Sequence, residues 1–99
     1  MDIKLNSVHF DADKKLENFI KEKVKKLVKF YEGILGAEVF LRLENSQEEE
    51  NKVVEIKLQI PGSDIFAKRQ AKTFEEATDN VVEALRQQII KYKEKLKGL

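Results

Sequence analysis

The fourteen residues Arg86–Leu99 (RQQIIKYKEKLKGL) set Arg86, Lys91, Lys93, Lys95 and Lys97 against a single acid, Glu94. A second basic block carries Lys14, Lys15, Lys21, Lys23, Lys25, Lys26 and Lys29 against Asp13, Glu17 and Glu22. Ammonium and guanidinium groups at this density can neutralise phosphates, so the chemistry on offer is the holding of a polyanion, with nucleic acid the first candidate. The whole chain has 19 Lys and Arg and 18 Asp and Glu, so charge is sorted rather than in excess. Acids gather at Glu44–Glu50 and again at Glu75, Glu76, Asp79 and Glu83. Lysines also serve solubility, and basic residues also suit the C-terminal end of a helix. Segregation of the two signs favours an anionic partner over those plainer uses, because a polarised surface steers one.

Lys68, Arg69 and Lys72 add positive charge late in the chain. On an edge strand such residues also block sheet-to-sheet aggregation. Arg69 falls in the phase of its apolar neighbours, where a guanidinium needs a partner or an escape to solvent, and from there it could reach a phosphate. Phe30, Tyr31, Phe40, Phe66 and Tyr92 are the aromatics that could stack on bases. Phe40 and Phe66 are expected on an open sheet face, as a cross-strand aromatic pair rather than an RNP-type platform; Tyr31 and Tyr92 are expected in the core. His9 is the sole histidine, and with Asp11 and Asp13 it has the donor types for a metal or for acid–base work, though a strand-end histidine with no such duty is the simpler reading. No nucleophile elbow, P-loop or dinucleotide fingerprint occurs, and Ser7, Ser46 and Ser63 have no identifiable His–acid pair. The chain is expected not to be an enzyme, and to need no cofactor and no small-molecule substrate.

The elements that must position these residues follow from periodicity. Ile3–His9 reads as a short strand, after which Asp11 or Asp13 can cap a helix. Leu16, Phe19, Ile20, Val24, Leu27, Val28 and Tyr31 recur at three and four, giving one apolar stripe bracketed at its end by Gly33 and Gly36. Ala37, Val39, Leu41 and Leu43 then alternate with polar residues, as do Val54, Ile56, Leu58 and Ile60 beyond a polar hairpin at 45–51. Pro61 and Gly62 turn the chain into a last strand, Ile65–Lys72. Thr73 and Glu76 form a capping box, and Phe74, Ala77, Val81, Leu85, Gln88, Tyr92 and Leu96 mark the stripe of a second helix reaching Lys97. The order is β-α-β-β-β-α: an α+β fold with a four-stranded mixed sheet, the helix-linked first pair parallel and both helices on one face. At 100° per residue, Lys23 lies about 40° from the first stripe's centre, with Lys91 and Lys95 within about 90° of the second. These lysines are expected to border a groove between the helices.

With 99 residues the chain is expected to form one domain, 1–99, around a single core. Hydrophobic residues at 41% and charged residues at 37%, arranged periodically, exclude a disordered chain. The absence of cysteine removes disulfides and thiolate metal sites and fits the cytoplasm. No leader and no apolar run long enough for a membrane span is visible, so no membrane partner is expected.

The residues Leu85, Gln88, Ile89, Lys91, Tyr92, Lys93 and Glu94, with Pro61, Gly62 and Asp64, Ala67, Ala77 and Asp79, and Glu22, Lys23, Lys26 and Leu27, give the chain a resemblance to the ribosome hibernation promoting factor family, also called ribosome-associated inhibitor or protein Y. The resemblance spans essentially the whole chain. It implies a cytoplasmic protein, built like a double-stranded-RNA-binding domain with an added first strand, that binds the small ribosomal subunit and its rRNA at the mRNA and tRNA decoding channel and blocks translation during starvation or stasis. By position it implies that Lys23, Lys26, Lys91, Lys93 and Lys95 form the basic groove and that His9 matches the histidine ending the family's first strand. Together with Lys68, Arg69, Lys72 and Arg86 these are the candidate ribosome-binding residues. Departures from the family's usual pattern are Val8 where an arginine precedes the histidine, Arg69 in place of a small residue, and Glu75 in place of an aromatic. A chain of this length resembles the short form. A double-stranded-RNA-binding module for another RNA, and a protein-interaction regulator of transcription using the acidic segments, are the alternatives.

Overall fold

Strict alternation builds the sheet. A computed structural model describes residues 1–44 and 49–98, with strands β1 (Asp2–Val8), β2 (Gly36–Leu43), β3 (Lys52–Ile60) and β4 (Ser63–Ala71) and helices α1 (Lys14–Lys25) and α2 (Phe74–Lys97). The strand order is β1-β2-β3-β4, with β1 parallel to β2 and the other pairs antiparallel. The β-α-β-β-β-α order and mixed sheet are those the sequence implies. Ala37, Val39, Leu41, Val54, Ile56, Leu58, Ile65 and Ala67 share one face with the apolar sides of both helices, and together they form the core. Val53 is buried on the opposite face, where Arg42 and Gln70 flank it in register.

Two turns set the strand ends. At Gly62 φ is +81°, the value required at the third position of a type II turn and one that side chains resist, and Pro61 supplies the fixed φ before it. His9 is the only non-glycine residue with positive φ among the described residues, at +67°; histidine is among the residues that tolerate this region. That kink ends β1 at Val8 and lets Phe10 stack on Phe74, with centroids 5.1 Å apart and planes within 13°. Asp13 then caps α1, its carboxylate accepting the Leu16 N–H at 2.8 Å, which decides between the two candidate caps.

The first helix is shorter than its apolar stripe. After Lys25 the backbone tightens into a 3-10 turn, Lys26–Lys29, with Phe30 and Tyr31 N–H bonding back three residues to the carbonyls of Leu27 and Val28. Leu27 stays buried, but Tyr31 lies beyond the helix, half-buried and edge-on to Tyr92 at 5.6 Å. It is a seam residue and not part of a helical stripe.

On α2 the buried residues are Ala77, Thr78, Val81, Leu85 and Ile89, not a stripe reaching Leu96. At 1.5 Å per residue its 24 residues span about 36 Å, against about 30 Å for a nine-residue strand, so the last turns overrun the sheet. Leu96 is consequently 48% exposed. Gln88 and Tyr92 are half-buried and instead reach backbone, donating to the carbonyls of Phe66 at 2.9 Å and Pro61 at 3.5 Å. At the other end Thr73 caps α2 by accepting the Glu76 N–H at 3.0 Å. Phe40 and Phe66 are not a cross-strand pair: they sit on β2 and β4 with β3 between them, opposite Glu55 and Lys57 respectively, and Phe66 is left 62% exposed. The expected hairpin at 45–51 is closed by the Glu44 N–H on the Asn51 carbonyl at 2.8 Å, while residues 45–48 lie outside those described.

Candidate nucleic-acid interface

Contacts between the helices rise together along both: Phe10 meets Phe74, Lys23 meets Asp79, Phe30 meets Arg86, and Tyr31 meets Tyr92. The helices therefore run side by side in the same direction, with α1 ending beside the first half of α2 and the 3-10 turn and Phe30–Tyr31 continuing along it towards Tyr92. This carries the 3-10 turn, with Lys26 and Lys29, towards the half of α2 that holds Lys91, Lys93, Lys95 and Lys97, and brings Lys29 and Lys93 to one cleft. Asp11, Asp13, Glu75 and Glu76 lie at the other end, with the helix N-termini. Apart from Lys14 and Lys15, which open α1, most of these charges sit where the peptide dipoles favour them, and the two aligned helices add their fields along a molecule 47 Å in its longest dimension.

The sequence-predicted residues fall into separate groups. Lys26, Lys91, Lys93 and Lys95 stand at the basic end, and none of them forms an ion pair with another described residue. Lys91 and Lys95 face β4, lining an open depression with Ser63, Asp64 and Ile65. Lys93 faces the opposite way, towards Lys29 and the loop Phe30–Gly33. Lys23 belongs with neither: its ammonium is 3.1 Å from Asp79 and 5.3 Å from the centre of the Phe19 ring. The expected groove bordered jointly by Lys23, Lys91 and Lys95 is thus not present. Helical phase placed each lysine relative to its own stripe, but the flank of α2 that meets α1 is not the flank that carries Lys91 and Lys95.

Arg86 is also engaged. Its guanidinium makes a two-point contact with Glu83, including Nε to Oε2 at 2.9 Å, and lies 5.8 Å from the centre of the Phe30 ring. The bonds from Arg86, and then Gln87, hold the Glu83 carboxyl down at a pKa of about 2, and the carboxylate in return raises that of Arg86. Lys72 pairs with Glu49 at 3.6 Å.

Lys68 and Arg69 are exposed on β4, an edge strand. Arg69 does hold the phase of the helix-covered face, opposite Val54, but its side chain escapes to solvent and donates to the Lys68 carbonyl at 2.7 Å. With Gln88 on the Phe66 carbonyl, two alternate outward carbonyls of this edge are occupied by side chains. His9 stands exposed at the end of β1, away from the basic end. Among the described residues no group of three or more His, Cys, Asp or Glu could hold a metal ion, so Asp11 and Asp13 do not join His9 in such a site.

The sequence names Lys29 only within the basic block and Phe30 only as one of five aromatics that could stack on bases, and neither is among the candidate ribosome-binding residues. Both lie where helical phase is lost, on and just after the 3-10 turn, and only the fold shows that this turn presents them towards Lys93. No described helix is long and apolar enough to cross a membrane.

Comparison with known proteins agrees with the fold. Ribosome hibernation promoting factor of Pseudomonas putida is 26% identical over 99 residues, spanning all of this chain and 93% of its own. The protein of the same name from Azotobacter vinelandii is 23% identical over 95 residues, 96% of this chain and 85% of its own. Among solved structures, a ribosomal subunit interface protein from Coxiella burnetii superposes with a TM-score of 0.83 at 20% identity, covering 94% of this chain and 98% of that one. The N-terminal domain of Thermus thermophilus Protein Y gives 0.80 at 22% identity, with coverage of 93% and 99%. The family model described as sigma 54 modulation protein / S30EA ribosomal protein matches residues 3–97. A match over nearly the whole length, joined to the same fold, places the chain in that family: it belongs to the sigma 54 modulation protein / S30EA ribosomal proteins.

Proposed function

We propose that this protein is a cytoplasmic ribosome hibernation factor that binds the small subunit along the mRNA and tRNA decoding channel and holds translation off during stasis or starvation. The observation that carries the reading is the basic end of the molecule, where two parallel helices bring together lysines that no described acid neutralises. Such groups are available to rRNA phosphates, whereas lysines already in ion pairs must first give up a partner. Phosphate contacts fix position without reading sequence. Inhibition then follows from occupancy: the folded body fills space that mRNA and tRNA require, and no reaction is needed.

The test is cosedimentation of the purified protein with ribosomes and isolated subunits on sucrose gradients at low and moderate salt, beside an in vitro translation assay. The protein is expected to travel with small subunits, to be released as salt rises, and to inhibit translation. Absence from ribosomes at both salts would refute the proposal. Efficient competition by naked duplex RNA would transfer the interface to another RNA.

A further inference from the structure

The basic end contains a feature that phosphate neutralisation does not use. Lys29, Phe30, Tyr31, Glu32, Gly33 and Lys93 line an open cleft of about 430 Å³ between the 3-10 turn and α2. Phe30 is 37% exposed there, an aromatic ring held at the surface among cations. Its place is fixed from behind: the Arg86 guanidinium lies 5.8 Å from the ring centre and is itself anchored by Glu83. The floor is fixed as well, since the Tyr31 ring lies so close to Gly33 that a Cβ there would come within 2.5 Å of it. Any larger residue at that point would have to push the Tyr31 ring aside.

We propose that this cleft is a subsite for one unpaired RNA nucleotide, its base stacked on Phe30 and its flanking phosphates set between Lys29 and Lys93. The inference rests on the ribosome-binding reading and specifies what that end of the molecule takes. An aromatic face accepts any base, and the two ammonium groups suit a backbone passing on either side. A ring already clamped by Arg86 loses little freedom on binding, which lowers the cost of the stack. Duplex RNA cannot use the subsite, because its bases are stacked on one another.

The chain contains no tryptophan, so the F30W variant carries a single fluorescent reporter in the cleft. Its emission is expected to be quenched by single-stranded oligoadenylate and by small subunits, and not by duplex RNA at equal phosphate concentration. Phe30→Ala and Phe30→Leu should each weaken small-subunit binding about 5- to 150-fold, the range of one base–aromatic stack, with an unchanged salt slope, and Phe30→Tyr should bind as the parent protein does. The leucine variant keeps apolar bulk and guards against a folding defect. Normal subunit binding by both Phe30→Ala and Phe30→Leu, or subunit binding by F30W without quenching, would overturn the subsite and leave the hibernation reading standing. If the parent protein binds no ribosome, that reading falls, and quenching by oligoadenylate alone then decides the subsite.

Discussion

Replacing both Lys29 and Lys93 by alanine separates the lysines free to meet phosphate from those already engaged. Each phosphate neutralised contributes roughly 0.7 to 0.9 to the slope of log affinity against log salt, so losing two contacts should flatten that slope by roughly 1.4 to 1.8. Over a fourfold rise in monovalent salt, roughly 50 to 200 mM, the parent protein should therefore lose roughly 7- to 12-fold more affinity for small subunits than the double variant. Lys23→Ala is the internal comparison. Its ammonium is 3.1 Å from Asp79, so a phosphate would have to displace a carboxylate already in place, and the slope should change less than in either single variant of Lys29 or Lys93. The assay is equilibrium binding of labelled protein to purified small subunits at fixed magnesium across a salt series. A slope in Lys23→Ala flattened as much as in Lys93→Ala would refute the distinction between paired and free lysines on which the interface rests.

Ile89 is fully buried under α2, and truncation to alanine should cost about 2–5 kcal/mol through lost transfer energy and an incompletely collapsed cavity; a urea midpoint unchanged from the parent would contradict its place in the core. The Glu83 carboxyl, held at a pKa of about 2 by Arg86 and Gln87 against an ordinary 4.5, favours the folded state above pH 4.5. That contribution fades as pH falls from 4.5 towards 2, and an NMR titration of Glu83 should show the low midpoint in the parent and a return towards 4.5 in Arg86→Ala. At the β4 edge, Arg69 and Gln88 occupy the carbonyls of Lys68 and Phe66; removing both side chains with alanine should raise the weight-average mass in sedimentation equilibrium, since a freed strand edge is a template for pairing. Equal masses at all concentrations would show that the edge needs no such cover.

The departure at Arg69 acquires a structural account in this way. A small residue at that position would leave the Lys68 carbonyl open, whereas the arginine turns back along its own strand and covers it. A long side chain at the edge of the sheet can reach solvent past the helix, which is why a cation is tolerated in the apolar phase.

Elements with a strong period are legible in the sequence alone. Alternation puts Ala37, Val39, Leu41, Val54, Ile56, Leu58, Ile60, Ile65, Ala67 and Ala71 inward, because a strand's side chains change face at every step. Leu43, expected inward with them, is 49% exposed at the end of β2. The Thr73 cap is legible too, and the α1 cap to within Asp11 or Asp13, since a short polar side chain before an apolar stripe has few other uses. What the sequence could not show is how one element sits against another. Helical phase gave Lys23, Lys91 and Lys95 each a position on its own helix, but whether those positions share a groove depends on which flank of α2 meets α1. That choice is made by the packing of both helices across one sheet face. The same packing pairs Lys23 with Asp79, leaves Lys29 and Lys93 facing across a cleft, and presents Phe30 between them. Charge content and element order were thus properties of the chain by itself. Which charges cancel one another, and which remain for a partner, was decided by tertiary structure, because pairing acts over a few ångströms between residues that lie far apart in sequence.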